Sequence, residues 1–383
     1  MRAKEDINNQ ISVTSQLVLK TRRSVQGMME EDEEHWTVVH YHQGLDDMSQ
    51  QLRDMCLKKH LSHRPYVGVA AKRNSPLEVF QGQLFCFLPL PPETPSPTGL
   101  PVHVHGFFEL SQNRRHVEWP KGEGEEGGPS DEAALWNSLL VTEVMPRAYV
   151  TLLTELVNSA GTGASPFTSG SSSRQTVAMI ADVLYKLCPN HSKLTTHWQP
   201  LLAPFYQKLS VSRLFYTQLK GGHWVSLQEA VLMTSPAHDD LDEDTEVAVV
   251  EVYAVCRVNL VRLPRHVLHG LNEVSVTSVT AVSPQHLSDL MRSNGTWSEK
   301  LSREKKSLIL LYLCCHGNKS ILLDLELLPL ADGSFGMCNK HVAHVCRTQR
   351  ELSILQGLHD RLCYVTSPDG LQQYLQELAS SGI

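Results

Sequence analysis

The chain has 383 residues, of which 41% are hydrophobic and 20% charged, and its 34 basic residues against 41 acidic ones leave a net charge of -7. That length exceeds one core of about 100 to 150 residues, so more than one compact unit is expected. The composition is that of an ordinary folded chain rather than a disordered one, and the mild acidic balance excludes the clustered basic excess of a general nucleic-acid binder. No uninterrupted apolar run of about 18 residues occurs, and MRAKEDINNQ has no apolar stretch of a secretory leader. Neither membrane spanning nor secretion is therefore predicted. The 9 cysteines are scattered in apolar surroundings, the pattern of reduced thiols in a cytoplasmic protein.

In chain order, residues 1–34 are polar and end in Glu30-Glu31-Asp32-Glu33-Glu34. They read as a polar flank or the remnant of an upstream domain. WTVVHYH from Trp36 alternates as a strand, LDDMSQQLRDMCLKKH has helical spacing, and PYVGVAA is a second strand. Leu84 to Leu88 and Val102 to Leu110 add two more, since aromatic and β-branched side chains suit a half-buried pleated surface. Pro89, Pro91, Pro92, Pro95 and Pro97 lack ladder donors and confine the connection to the surface. Residues 35–120 thus form a small mixed-sheet α/β domain.

The acidic, Gly-rich segment 121–130 marks a linker. Residues 131–212 are mainly helical, with Pro146 expected to kink or split the first helix. Residues 213–383 return to a mixed α/β pattern. It opens on two short strands around Gly221-Gly222, continues in VAVVEVYAVCRVNL as a buried helix led by carboxylates, and alternates further helices at Ser283–Arg292 and Ser298–Cys314 with LLDLELLPL and LCYVT. The fold class is mixed α+β (α/β) and multi-domain: the mixed-sheet unit, a helical region, and a second α/β region.

Four separated signatures stand in this order: YVGVAA around Gly68; FCFLPLPPET with GLPVHVHGFFELSQNRR, holding Pro89, Gly106, Phe107, Asn113, Arg114 and Arg115; GGHWV with Gly222 and Trp224; and LPLADGSF with Pro329, Asp332 and Gly333. Together they resemble the sacsin family, very large chaperone-related proteins whose repeats each begin with an ATPase domain like that of heat-shock protein 90. The resemblance implies the portion of a repeat that follows the ATPase. It implies a non-catalytic chaperone or co-chaperone module, with protein clients, the heat-shock protein 70 system and the proteasome as partners, no nucleic acid or membrane, no cofactor, and a cytoplasmic location. A scaffold without chaperone activity, or a hydrolase using a Cys-His pair, are the alternatives.

The chemistry-bearing residues fit that reading. D-x-G-x-G, G-x-x-x-x-G-K-[ST] and a strand-linked G-x-G-x-x-G are absent from the sequence, so this chain alone is expected not to hydrolyse ATP. Arg114 and Arg115 follow the polar turn Ser111-Gln112-Asn113, where a guanidinium can hold a carboxylate or phosphate. The resemblance implies a role in trans, since ATPases of this class often complete their site with a basic residue of the following domain; a surface salt bridge or a sheet-end anchor is the alternative. His103 and His105, like His40 and His42, lie two apart on a strand and share a face. Without further ligands at readable spacing they are expected to be structural, and no metal site is assigned. Cys314-Cys315-His316 places neighbours that diverge on either a helix or a strand, which disfavours a thiolate and base. LPLADGSF and GGHWV read chemically as turns, with Trp224 a local anchor.

Overall fold

The computed structural model describes residues 10–25, 28–57, 64–73, 80–91, 98–120, 131–161, 173–233, 242–274, 279–317, 319–337, 344–346, 348–355, 358, 361–365 and 370–380. The linker expected at 121–130 lies outside them. The chain is mixed α+β and divides into two compact units. The first comprises residues 1–216, 224–228 and 263–278, and the second 217–223, 229–262 and 279–383.

The first unit is built on a six-stranded sheet of order β1-β2-β3-β6-β4-β5: β1 (Ile11–Val25), β2 (Met28–His42), β3 (Tyr66–Lys72), β4 (Leu84–Cys86), β5 (Leu88–Pro89) and β6 (His103–Gly106). The stretch read as a polar flank is therefore strand. β1 and β2 pair without interruption from Ile11↔His42 to Val25↔Met28. In the charged half of the hairpin the charges answer one another across the ladder: Lys20 meets Glu33 at 3.3 Å and Arg22 meets Glu31 at 2.7 Å. Only Trp36 to His42 of β2 continues to β3.

The inner face of this sheet carries Val39, Tyr41, Val67, Val69 and Val104, all fully buried or nearly so. The period-2 alternation puts these residues on one side, and the long helix covers them. That helix starts as α1's successor: after α1 (Gln50–Leu57) come α2 (Asp131–Leu139), a π-helical turn Leu140–Val144, and α3 (Met145–Gly161). Pro146 does not split it. A proline ring crowds the carbonyl four residues back, that of Thr142, and the wide π turn holding Thr142 relieves the clash. α4 (Ser173–Lys186), a 3₁₀ turn Thr196–Leu201 and α5 (Leu202–Ser210) complete the helical layer.

β7 (Phe215–Thr217) and β8 (His223–Val225) flank the predicted turn. In the second unit β9 (Ala230–Leu232) pairs in parallel with both β10 (Asn259–Val261) and β11 (Thr280–Ala281), and Val261 also pairs with Thr217. α6 (Glu243–Val255) is the carboxylate-led helix that the sequence predicts, with the Asp242 side chain accepting from the Thr245 amide. After α7 (Arg265–Glu273), in the first unit, the chain forms α8 (Pro284–Ser293), α9 (Trp297–Lys300) and α10 (Arg303–His316). The single helix expected from Ser298 to Cys314 is thus two, because Leu301 is extended and Ser302 caps α10. β12 (Glu326–Pro329) and β13 (Phe335–Met337) form a hairpin, β14 (His344–Val345) pairs with β15 (Leu362–Cys363), and α11 (Gln349–Ile354) and α12 (Leu371–Ser380) end the chain. α6, α8, α10 and α12 share one core with Trp297, Leu327 and Cys363.

Candidate functional site

The outer face of the first sheet is aromatic. Register places His40, Gly68 and His105 in one row, Val38, Ala70 and His103 in the next, and His42 beside Tyr66. Ring centroids connect the rows: Trp36 stacks on His103 at 4.9 Å, Tyr66 lies 4.7 Å from His42 and 4.9 Å from Phe107, and Phe87 stacks on Phe107 at 5.3 Å. Tyr66 Oη and His40 Nδ1 share a hydrogen bond of 2.6 Å that crosses above Gly68, where a Cβ would sit 3.0 Å from the hydroxyl. Phe87, at φ 64°, breaks the strand between β4 and β5. It and Leu88 are 64% and 74% exposed.

The paired histidines share a face as expected, and their nitrogens hold backbone. His103 Nδ1 accepts from the Gln83 amide at 2.8 Å, and His105 Nε2 accepts from the Phe87 amide at 3.3 Å. Each imidazole thereby ties one end of the short strand β4 to β6. An accepting ring nitrogen carries no proton. Burial accordingly holds His42, His103 and His105 below the usual histidine range. Among the described residues, no group of three or more His, Cys, Asp or Glu side chains is gathered for a metal.

Arg114 and Arg115 sit at the tip of a tight loop closed by the bridge Leu110↔Val117. Arg114 has φ 56°, and its amide donates to the Ser111 carbonyl at 2.7 Å. Asn113 Oδ1 accepts from the Arg115 amide at 3.1 Å. The loop thus presents both guanidinium side chains to solvent, and among the described residues neither makes an ion pair. What fixes the loop is a residue the sequence reading missed. Asn137 of α2, fully buried, accepts from the Glu109 amide at 2.8 Å and donates to the carbonyls of Glu109 at 2.8 Å and Glu118 at 2.7 Å. One side-chain amide thus substitutes for a neighbouring strand. Beside it Trp136 Nε1 donates to the Phe107 carbonyl at 2.8 Å. These bonds explain why β6 stops at Gly106 rather than running to Leu110. No local pattern marks Asn137, since its partners lie 19 and 28 residues away.

The remaining signatures are structural. Lys220, Gly221 and Gly222 all have positive φ, 54°, 92° and 97°, a run that favours glycine. Half-buried Trp224 packs on Tyr216 at 5.4 Å. In LPLADGSF, Pro329 ends β12, Asp332 Oδ1 accepts from the Ser334 amide at 2.9 Å, and Gly333 has φ 96°. The hairpin is gripped from α10: Arg303 donates to the Leu330 carbonyl at 3.3 Å, and the buried Lys306 Nζ lies 4.5 Å over the Phe335 ring and 2.9 Å from Ser298 Oγ. Cys315 is exposed near the end of α10, whereas the His316 ring packs on Tyr312. Among the described residues no helix is long and apolar enough to cross a membrane.

Fold and site together define a mixed α+β chain of two compact units. It carries an aromatic and imidazole sheet face and, on the same unit, a solvent-facing diarginine loop. No protein-family model matches the chain, and no solved structure matches it. Human sacsin is similar to it, 29% identical over 345 residues that cover 85% of this chain. The chain spans about 7% of the length of that curated relative. The similarity agrees with the resemblance carried by the four signatures: the sequence is related to a portion of sacsin.

Proposed function

We propose that the chain is a non-catalytic chaperone or co-chaperone module of a sacsin-like protein, which contacts protein clients and relays the state of an attached ATPase domain. The observation that carries this reading is the similarity to sacsin over 85% of the chain. The outer sheet face supplies a surface suited to it. Phe87 projects there beside Phe107 and His105, and exposed apolar patches with polar rims bind apolar segments of other chains. Client proteins and the heat-shock protein 70 system are the partners in this proposal, with the proteasome a further one, and the cytoplasm is its setting. Arg114 and Arg115 are assigned to the phosphates of the attached ATPase, reached in trans from the loop that Asn137 fixes.

The test is aggregation of a thermally destabilised client, followed by light scattering, with an equimolar amount of the chain. Slower aggregation that the variant Phe87→Asp abolishes is the expected result. No slowing would leave a scaffold without client binding. Turnover of ester or peptide substrates that a Cys315→Ser variant loses would replace the proposal with a hydrolase.

A further inference from the structure

Among the described residues no strand pairs with the outer edge of β1, and its first nine residues lack the usual protective devices. ISVTSQLVL, from Ile11 to Leu19, contains no charge and no proline, and its ladder with β2 has no bulge. Natural sheets blunt an edge with those devices, because unpaired N–H and C=O groups recruit another strand. Here β1 ends the sheet order, and Ile11, Val13, Leu17, Val18 and Leu19 are each 45% to 52% exposed. Charge begins only at Lys20 and Arg22, which are already bridged to β2.

The order of residues along this edge selects its occupant. Apolar side chains at 11, 13, 17 and 19 are arranged symmetrically about Ser15. Those four and Ser15 share the face that carries His42, His40 and Trp36, as the register Ile11↔His42, Val13↔His40 and Leu17↔Trp36 shows. An antiparallel strand of the same sequence centred on Ser15 therefore sets Ile11 against Leu19 and Val13 against Leu17. Thr14 then meets Gln16 on the other face, and Lys20 falls beside the neutral Gln10 of the second strand. No like charges meet in this register, and each apolar pair on the outer face is matched. An unrelated segment has no reason to carry that symmetry.

We propose that β1 is a self-association edge: two copies of this chain pair antiparallel through Ile11–Leu19 about a two-fold axis at Ser15. The two six-stranded sheets become one, with both aromatic faces on the same side. The inference is independent of the chaperone reading. A strand pair of this size buries less than the roughly 1,200 Å² of standard interfaces, so the dimer is weak and concentration-dependent.

The experiment uses the full chain in sedimentation velocity over a concentration series, with disulfide trapping in a Cys315→Ser background. The expected outcome is a monomer–dimer equilibrium whose Kd rises at least about tenfold in Leu17→Lys, with the far-UV spectrum unchanged. Ser15→Cys gives a disulfide-linked dimer. Leu19→Cys does not, because in this register the two Leu19 positions lie eight residues apart, roughly 27 Å. A chain that stays monomeric, a dimer indifferent to Leu17→Lys, or equal trapping at 15 and 19 would overturn the proposal. So would a monomer whose β1 is saturated by unrelated apolar peptides, which would make the edge a client-binding strand instead.

Discussion

Asn137→Ala tests how the diarginine loop is held. The side chain is fully buried and makes three hydrogen bonds of 2.7 to 2.8 Å to the backbone of Glu109 and Glu118. Net values of about 0.5–1.5 kcal/mol per bond give a loss of roughly 1.5–4.5 kcal/mol, and the upper half applies because the backbone groups left behind are enclosed. Asn137→Asp sharpens the test. Aspartate still accepts from the Glu109 amide, but it turns a carboxylate toward two carbonyl oxygens where the amide had donated, so it destabilises at least as much as alanine. Urea denaturation gives the stability change, and hydrogen exchange read by mass spectrometry locates it. Peptides covering 104–118 lose protection in both variants, while those of the second unit do not. A loss below about 0.5 kcal/mol for alanine, or an aspartate variant as stable as the wild type, would refute the argument.

Acid should loosen the same sheet. Folded-state values of His42, His103 and His105 lie below the unfolded value of about 6.5. The neutral rings therefore contribute stability that is complete above that pH and is lost as pH falls through the folded values. Urea midpoints at pH 7.5 and 5.5 should differ more in the wild type than in His103→Phe, which cannot titrate; equal differences would count against it. Lys306→Met keeps the apolar stem over Phe335 and should cost under about 1 kcal/mol, whereas Lys306→Ala leaves a cavity and costs about 2–3 kcal/mol by the same denaturation assay. Arg114→Ala and Arg115→Ala, both exposed, should change stability by less than about 0.5 kcal/mol. Yet they should slow ATP hydrolysis when the chain is joined to its cognate ATPase domain, and unchanged hydrolysis would remove their proposed role.

Local chemistry made much of the fold legible. The leading carboxylates and the helical spacing from Ser283 announce α6 and α8, and WTVVHYH and PYVGVAA name two central strands. What stayed hidden depends on partners distant in sequence. β1 lies within a stretch that reads as a polar flank, and only its charged second half, with Lys20 and Arg22 set against Glu33 and Glu31 of β2, explains the polarity across the ladder. The shared face of His103 and His105 follows from a period of two, but their work as acceptors for the Gln83 and Phe87 amides needs the parallel neighbour β4 in place. Pro146 is visible as a helix breaker, whereas the π turn that accommodates it is not. Asn137 carries no signal because an asparagine inside a helix acquires meaning only from the loop packed on it.

Client contact at the aromatic sheet face is the central claim, and site-specific photocrosslinking addresses it directly. A photoreactive residue is placed at Phe87, 64% exposed on that face, or at Val211, 75% exposed beyond α5. Each protein is then irradiated with a destabilised client during heating. The account predicts client adducts from position 87 and few from position 211; equal yields at both, or none at 87, would contradict it.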